Sequence, residues 1–413
     1  MSPEIRKVTE SEFPEWMRAF RTGFLMPPTA SEEEMTGRRG GVDLDRTTGV
    51  VDGGRWVATY RTFPQWVAAP GGARIPTNAI TNVSVSATHR RRGLLSRMIT
   101  EDLAAAKERG DVLASLISAE YPIYGRYGFG VATWIAEWTV DLLRGGLDRS
   151  RPLPGSGRID LVDAAEVRTE GPVLHERVAA LVPGLVSRNE RWWRIQTGEI
   201  TVPSTEWTEP LYALYRSASG EVEGLAVFAS DGEWSDAKQP RGTVRVRDLL
   251  ALTPDAERAL WHFVCSLDWV TAVRTGRRSP DDLLPLLLPD ARAAQATSLV
   301  DGLWLRVLDV PRALESRTYD TSAGLVLDIH DPLGLAAGRY RLEVSPDGAS
   351  AAPTDESADL TLGVDALAAL YLGDASPLRL AAVGALEESR AGAVRLAERV
   401  FRTPVRPWCP DVF

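Results

Sequence analysis

Val83-Ser84-Val85-Ser86-Ala87-Thr88-His89-Arg90-Arg91-Arg92-Gly93-Leu94-Leu95 passes from one structural pattern to another across a basic corner. Upstream, Ile80, Val83 and Val85 follow roughly the alternation of a strand with one buried face. Downstream, Leu94, Leu95, Met98, Ile99, Leu103 and Ala106 recur at helical spacing. The first amides of a helix have no intrahelical partner. At such a corner they point at an arriving anion, aided by the positive end of the helix dipole and by the arginines. Gly93 lets the backbone come close to phosphate oxygens. The alternative for Arg90-Arg91-Arg92 is an exposed basic loop; the flanking strand and helix favour a pyrophosphate-type anion site.

The helix is expected to stop at Gly110, and Val112 to Ser118 is a largely apolar run of the kind covered on both faces. Strand, helix, strand in this order makes a parallel pair. Its ligands lie at the carboxyl ends of the strands, where the basic corner and the residues after Ser118 meet. With a helical start over Phe13 to Phe24 and strands near Arg55 to Thr62 and Asn78 to Ser86, residues 1–148 read as one α/β unit.

A second unit, 149–295, carries strands near Gly224 to Ser230 and Val244 to Leu252 before a helix over Asp255 to Leu267. No glycine-bearing basic corner follows its strand. Thr253-Pro254-Asp255 is instead a helix start with proline near N1 and an acidic first turn, so this unit reads as a degenerate copy without a pyrophosphate site. In the third unit, 296–413, Leu303 to Val307, Leu325 to Ile329 and Tyr340 to Val344 alternate as strands of one open sheet. Helices follow over Val364 to Leu372, Pro377 to Ala382 and Ala391 to Phe401, and Pro346 to Glu356 reads as a surface loop. The fold class is α/β, α+β overall.

A chain of 413 residues exceeds one ordinary core, and roughly two to four domains are expected. Hydrophobic residues at 44% and charged residues at 25% describe a soluble globular protein and exclude long disorder. The longest aliphatic run, Leu283 to Leu288, is broken by Pro285 and falls far short of the ~20 residues a bilayer demands. Met1 to Lys7 lacks the apolar core of a signal peptide, so the expectation is a cytoplasmic enzyme without a membrane partner. Cys265 and Cys409 match no metal or CxxC spacing, and His89, His175, His262 and His330 are scattered, which predicts reduced thiols and metal-free chemistry. The net charge of −9 disfavours a nucleic-acid partner and suits a cationic substrate.

Arg90-Arg91-Arg92-Gly93-Leu94-Leu95 resembles the Gln/Arg-x-x-Gly-x-Gly/Ala signature of the GNAT superfamily of N-acetyltransferases, with Leu95 departing from the small last residue. After Ser118 comes Ala119-Glu120-Tyr121-Pro122-Ile123-Tyr124-Gly125-Arg126-Tyr127-Gly128-Phe129-Gly130. The Ile-Tyr-Gly-Arg-Tyr-Gly-Phe-Gly run, the basic corner and the Val-Ser-Val strand together resemble the Eis family, the enhanced intracellular survival acetyltransferases of actinobacteria. Arg188 with Trp192-Trp193, the Asp248 to Pro254 segment and the end from Arg402 to Phe413 extend the resemblance over essentially the whole chain.

The resemblance implies two tandem GNAT-like domains, the second degenerate, a C-terminal domain similar to sterol carrier proteins, and assembly into homohexamers. Members acetylate several amines of one aminoglycoside, and some acetylate lysine side chains. By the family pattern acetyl-CoA would contact Val83, Ser84, Val85, Arg91, Arg92, Gly93, Leu94, Leu95, Ser96, Ala119 and Glu120. Tyr124 would be the general acid, and the C-terminal carboxylate, here on Phe413, the base.

Those roles agree with the chemistry. Transfer from a thioester to an amine needs a neutral nucleophile, a stabilised oxyanion and a proton for the departing thiolate. A tyrosine, with a reference pKa of about 10, is protonated at neutral pH and suits the acid role. A terminal carboxylate, at roughly 3.3 to 3.7, is poorly matched to an ammonium near 10 and needs burial or a bridging water. The plain alternatives are packing roles for Tyr121, Tyr124 and Tyr127 and a frayed tail at Phe413; the prolines and aromatics of Val405 to Phe413 favour a fixed extended course. Glu32-Glu33-Glu34, Asp43 and Asp45 are candidates for an acidic acceptor wall, against the alternative of a solvated helix face. Two further functions stand beside aminoglycoside-type acetylation: a protein-lysine or small-polyamine acetyltransferase, and a non-catalytic CoA- and lipid-binding protein.

Overall fold

A computed structural model describes residues 3–146, 155, 157–202 and 207–413; the expected boundary at 148/149 lies outside the described residues. The chain opens with β1 (Glu4–Lys7), α1 (Phe13–Gly23), α2 (Glu32–Arg39), β2 (Thr47–Asp52), β3 (Arg55–Ala68), β4 (Arg74–Val85), α3 (Leu94–Glu108), β5 (Leu113–Ile117) and β6 (Gly130–Val131). β1 to β5 pair in sequence order, antiparallel until β4 meets β5 in the expected parallel pair. α3 packs Leu94, Met98, Ile99, Leu103 and Ala106 on one face of this sheet, all of them buried. Each fully buried large side chain contributes about 1.5–3 kcal/mol. A polar pin fixes the helix to the strands: Tyr60 Oη and Asn78 Nδ2 both donate to Asp102 of α3, at 3.0 and 2.7 Å.

The next strand departs from the expected boundaries. β7 (Trp134–Asp141) leaves the first sheet for a second one with β8 (Arg158–Val162), β9 (Leu211–Arg216), β10 (Val222–Ser230), β11 (Gly242–Ala251), β12 (Val270–Arg274) and β13 (Ala294–Asp301), in the order β13-β7-β12-β11-β10-β9-β8. Helices α4 (Ala164–Ala179), α5 (Glu190–Gln196), α6 (Pro254–Cys265) and α7 (Leu284–Leu287) accompany it. β14 (Leu303–Val307), expected in the sheet of the third unit, instead inserts antiparallel between β5 and β6 of the first sheet. All five of its residues are buried, because it is a central strand covered on both faces.

The third sheet comprises β15 (Ala323–His330), β16 (Gly338–Ser345), β17 (Gly348–Pro353), β18 (Leu360–Gly363) and β19 (Leu386–Glu388), in the order β17-β16-β15-β18-β19. α8 (Val310–Glu315), α9 (Val364–Tyr371), α10 (Pro377–Ala382) and α11 (Ala393–Phe401) complete this unit. The stretch expected as a loop over Pro346 to Glu356 contains β17, which pairs with β16 and buries Ala351; its small side chains carry little strand signal, and the hairpin register supplies the order. Cys265 and Cys409 are both buried free thiols. Among the described residues no helix is long and apolar enough to cross a membrane.

Candidate active site

β4 and β5 pair only from Thr77 to Ala79, opposite Leu113 to Ser115, and then part. β5 continues against β14 up to Ile117, while the edge of β4 beyond Ala79 that faces away from β3 has no strand partner. A bulge begins the parting: Asn82 has φ 51°, and Thr59 and Arg61 on β3 sit opposite Ser84 and Thr81. Sequence reading missed this bulge, although the step of three between Ile80 and Val83 in an otherwise alternating strand is its signal. Beyond it, Val83 and Val85 pack toward the α3 core. Ser84 is buried and shares a hydrogen bond with Thr59 Oγ1 at 2.7 Å. Val83 to Val85 therefore offer a ligand a backbone edge without a strand partner among the described residues, on which Arg90 Nε donates to Val85 O at 3.5 Å.

The basic corner lies at the end of that edge. Arg91 holds φ 64° and Gly93 φ 74°, the second free of clash because a Cβ there would meet nothing within 4 Å. The amides of Leu94, Leu95 and Ser96 precede the first intrahelical bond, Arg97 N–H to Gly93 O at 3.1 Å, and no side chain caps them. Arg90, Arg91 and Arg92 are exposed; Arg92 donates to Thr88 O at 3.1 Å. His89 closes the base of the turn, Nε2 lying 3.3 Å from Asp52. Uncapped amides, three cations and a left-handed non-glycine residue make a cradle with no internal occupant, which is the donor set a pyrophosphate requires.

Across the opening, Ser118 keeps a buried hydroxyl without a partner among the described residues, and Ala119 and Glu120 are exposed. Ser96 has its hydroxyl engaged by Tyr127 Oη at 2.8 Å, leaving its amide to face the corner. Tyr124 is buried in the α3-side core, its ring edge-on to Phe129 with centroids 6.0 Å apart, and its hydroxyl has no hydrogen-bond partner among the described residues. Burial, and secondarily Tyr127, push its pKa up to about 12, so it remains a proton donor through the physiological range. Gly128 fixes the loop that carries it: at φ 82°, a Cβ would lie 2.6 Å from Val364 and 2.7 Å from Arg306. Arg306, fully buried on β14, donates to Tyr127 O at 2.8 Å and pairs with Asp331 at 2.6 Å.

Phe413 reaches the other face of the sheet. Residues of β5 alternate, Ala114 and Leu116 toward α3 and Ser115 away from it, where its hydroxyl meets Gln65 at 3.0 Å. Phe63 and Gln65 share that second face, and Phe413 packs edge-on to Phe63 with centroids 5.5 Å apart. Phe63 pairs with Ala79, the last residue before β4 and β5 part. The tail takes the extended course expected of it: Trp408 N–H donates to Pro183 O at 2.8 Å, Arg278 stacks 4.6 Å from the Trp408 ring, and Asp411 is ion-paired with Arg188. Tyr124 and Phe413 thus lie on opposite faces of one sheet.

Two of the five carboxylates named for an acidic wall are taken up by ion pairs, and Asp43 acts on Arg61. Glu34 is buried between Arg21, at 2.6 Å, and Arg38, at 2.9 Å, and Asp45 pairs with Lys7; Glu32 and Glu33 stay exposed on α2. Sequence reading also missed Arg61, which lies 5.7 Å over the Phe63 ring and among the described residues donates only to Gly41 O and the Asn82 side chain. Burial, and secondarily Arg191, lower its pKa to about 10.

Three family models match in succession: an acetyltransferase (GNAT) domain over residues 4–132, a second over 184–307 and a sterol carrier protein domain over 310–410. An N-acetyltransferase Eis of Mycobacterium bovis is 34% identical over 350 residues, 82% of this chain and 81% of that protein. The chain belongs to the Eis family of GNAT acetyltransferases. An uncharacterized N-acetyltransferase of Streptomyces avermitilis is 59% identical over 99% of this chain and 98% of its own. The crystal structure of Eis1 from Mycobacterium abscessus superposes with a TM-score of 0.85 at 30% identity, covering all of both chains. The protein is an acetyltransferase, and its Eis-type architecture is two GNAT domains followed by the sterol-carrier-like unit.

Proposed function

We propose that acetyl-CoA lies along the free edge of β4 with its pyrophosphate in the Arg91–Ser96 corner, and that an amine enters the gap between β4 and β5. The observation that supports this most is the gap itself, flanked by a basic corner, a protonated tyrosine on one face and Phe413 on the other. In this reading Val83, Ser84 and Val85 serve through backbone, Arg91 and Arg92 through charge, Gly93, Leu94, Leu95 and Ser96 through amides, and Ala119 and Glu120 border the opposite strand end. The amine nitrogen attacks the thioester carbon, and the tetrahedral intermediate collapses with loss of the C–S bond. Tyr124 gives its proton to the thiolate, and the carboxylate of Phe413 takes the amine proton, directly or through water. Tyr124→Phe is expected to lower kcat by about 10²–10⁴-fold with acetyl-CoA affinity kept, read as thiol release. Equal turnover would remove Tyr124 from the acid role.

Primary amines of aminoglycoside-type polyamines are the proposed acceptors, by the family resemblance and the net charge of −9. Arg61 favours a second reading, acetylation of a lysine side chain or small amine: among the described residues no carboxylate hydrogen-bonds this guanidinium beside Phe63, Asp43 acting on it only electrostatically, and it repels a multiply charged acceptor more than a singly charged one. Thiol release with aminoglycosides, polyamines and lysine peptides separates the two. A cytoplasmic homohexamer belongs to the same reading, its mass to be read by light scattering.

A further inference from the structure

Among the described residues, the last two of the tail are held by apolar contact alone, Phe413 half-buried against the core and Val412 turned to solvent. Val412 is 61% exposed, and Phe413 rests edge-on against Phe63. The firm hold is at Asp411, where Arg188 Nε donates to both carboxylate oxygens at 3.0 and 3.1 Å. Arg188 Nη1 also donates to Asp248 at 2.6 Å, and its guanidinium lies 4.1 Å over the Trp192 ring. Arg188 and Asp411 are both buried. Arg188 precedes α5 and Asp248 is on β11, so both belong to the central GNAT unit; Asp411 belongs to the tail that follows the sterol-carrier-like unit.

We infer that Arg188, with Asp248 and Asp411, is a positioning latch by which the central unit places the Phe413 carboxylate at the gap in the first unit. The inference rests on the proposed base role of Phe413. An extended chain advances about 3.3 Å per residue, so Phe413 stands within roughly 7 Å of the latch, and a slip of one residue displaces its carboxylate by a full strand step and turns its ring away from Phe63. Hydrogen bonding of both Asp411 oxygens by one buried guanidinium opposes such a slip in a way that an apolar contact does not. The central unit begins α6 with a satisfied cap and holds a second carboxylate, Asp248, beside Arg188. Asp248 keeps its hydrogen bond from Arg188 when Asp411 is neutralised, so Arg188 is not left as an unpaired buried charge, with Arg277 and Arg278 as further cations near the two carboxylates, and the fold is expected to tolerate the change.

The test compares Asp411→Asn with a chain extended by one glycine after Phe413. Asp411→Asn is expected to lower kcat roughly 10- to 100-fold with the KM for acetyl-CoA within twofold, because a displacement of about 1 Å at a reacting group costs on that scale while the corner is untouched. Its kcat is also expected to keep rising with pH where the wild type levels off, since free amine then substitutes for base assistance; loss of packing alone does not change that profile. The glycine extension is expected to be inactive. An inactive extension with wild-type kcat in Asp411→Asn overturns the latch. Full activity in both overturns the base role of Phe413 and the latch with it. If Asp411→Asn does not fold, Arg188→Lys, which keeps the charge and loses the fork, is read in the same way.

Discussion

After β4 the chain enters α3 at Gly93, and after β11 it enters α6 at Thr253; both strands run parallel to the strand that follows the helix. The first entry leaves its amides open, with a left-handed glycine at the cap position, no capping side chain and no acidic residue in the first turn. The second satisfies itself: Thr253 accepts from Ala256 N–H, Pro254 has no N–H to offer, and Asp255 and Glu257 put negative charge on the dipole. A helix start can be built for its own stability or for a ligand, and the unmet donors distinguish the two. Both strands run on past their parallel pairing, β4 beyond Ala79 and β11 beyond Arg245, but on β11 Arg278 donates to Leu249 O at 2.6 Å.

The largest expected effect breaks the first corner. Arg91→Ala with Arg92→Ala removes two charge-assisted donors. At about 1.5–3 kcal/mol each before screening, the pair amounts to roughly 2 to 3 kcal/mol at these exposed positions, a thirtyfold to hundredfold rise in the Kd for CoA by calorimetry. Added salt should shrink the difference. A Kd within threefold of wild type would make the two corners equivalent and the contrast ornamental.

A smaller effect concerns the seam between the two units. His175 on α4 of the central unit is buried against Trp66 of β3 and Trp193 of α5. Burial first, and then the charges of Arg188 and Arg74, lower its pKa to about 3. In the unfolded chain histidine takes up a proton below about 6.5, while the folded protein refuses it until near 3, so stability is full above 6.5 and is lost as pH falls through that window. At pH 5 the loss is about 2 kcal/mol from this group. His175→Leu is expected to flatten the fall in urea midpoint between pH 7.5 and 5; an unchanged slope would place the pH sensitivity elsewhere.

What was legible in the sequence was local. The corner could be read because the arginines, the glycine and the helix period lie within a few residues, and the parallel pair followed from strand, helix and strand in order. Leu303–Val307 was read correctly as a strand but given the wrong neighbours, since pairing across almost 190 residues with Leu113–Ile117 leaves no local mark. Gly348–Pro353 is a strand only by its partner. Glu34 looked like a free carboxylate because nothing near it in sequence announces Arg21. Tyr124 and Phe413 were reached by resemblance alone; that they lie on two faces of one sheet depends on strand parity and on a tail fixed from another unit.

The smallest effect sharpens the contrast from the other side. Thr253→Ala deletes the cap of α6 and should cost about 1 kcal/mol, read as a lower urea midpoint. It frees the Ala256 amide and so brings the second corner one step nearer to the first. The remaining differences oppose an anion: Pro254 still lacks its donor, and Asp255 and Glu257 still face the helix end. Calorimetry is therefore expected to give one CoA per chain before and after the substitution. A second equivalent of CoA bound by Thr253→Ala would mean that a single hydroxyl closes the central unit, and that the acidic turn and the proline, which carry most of the argument above, contribute little.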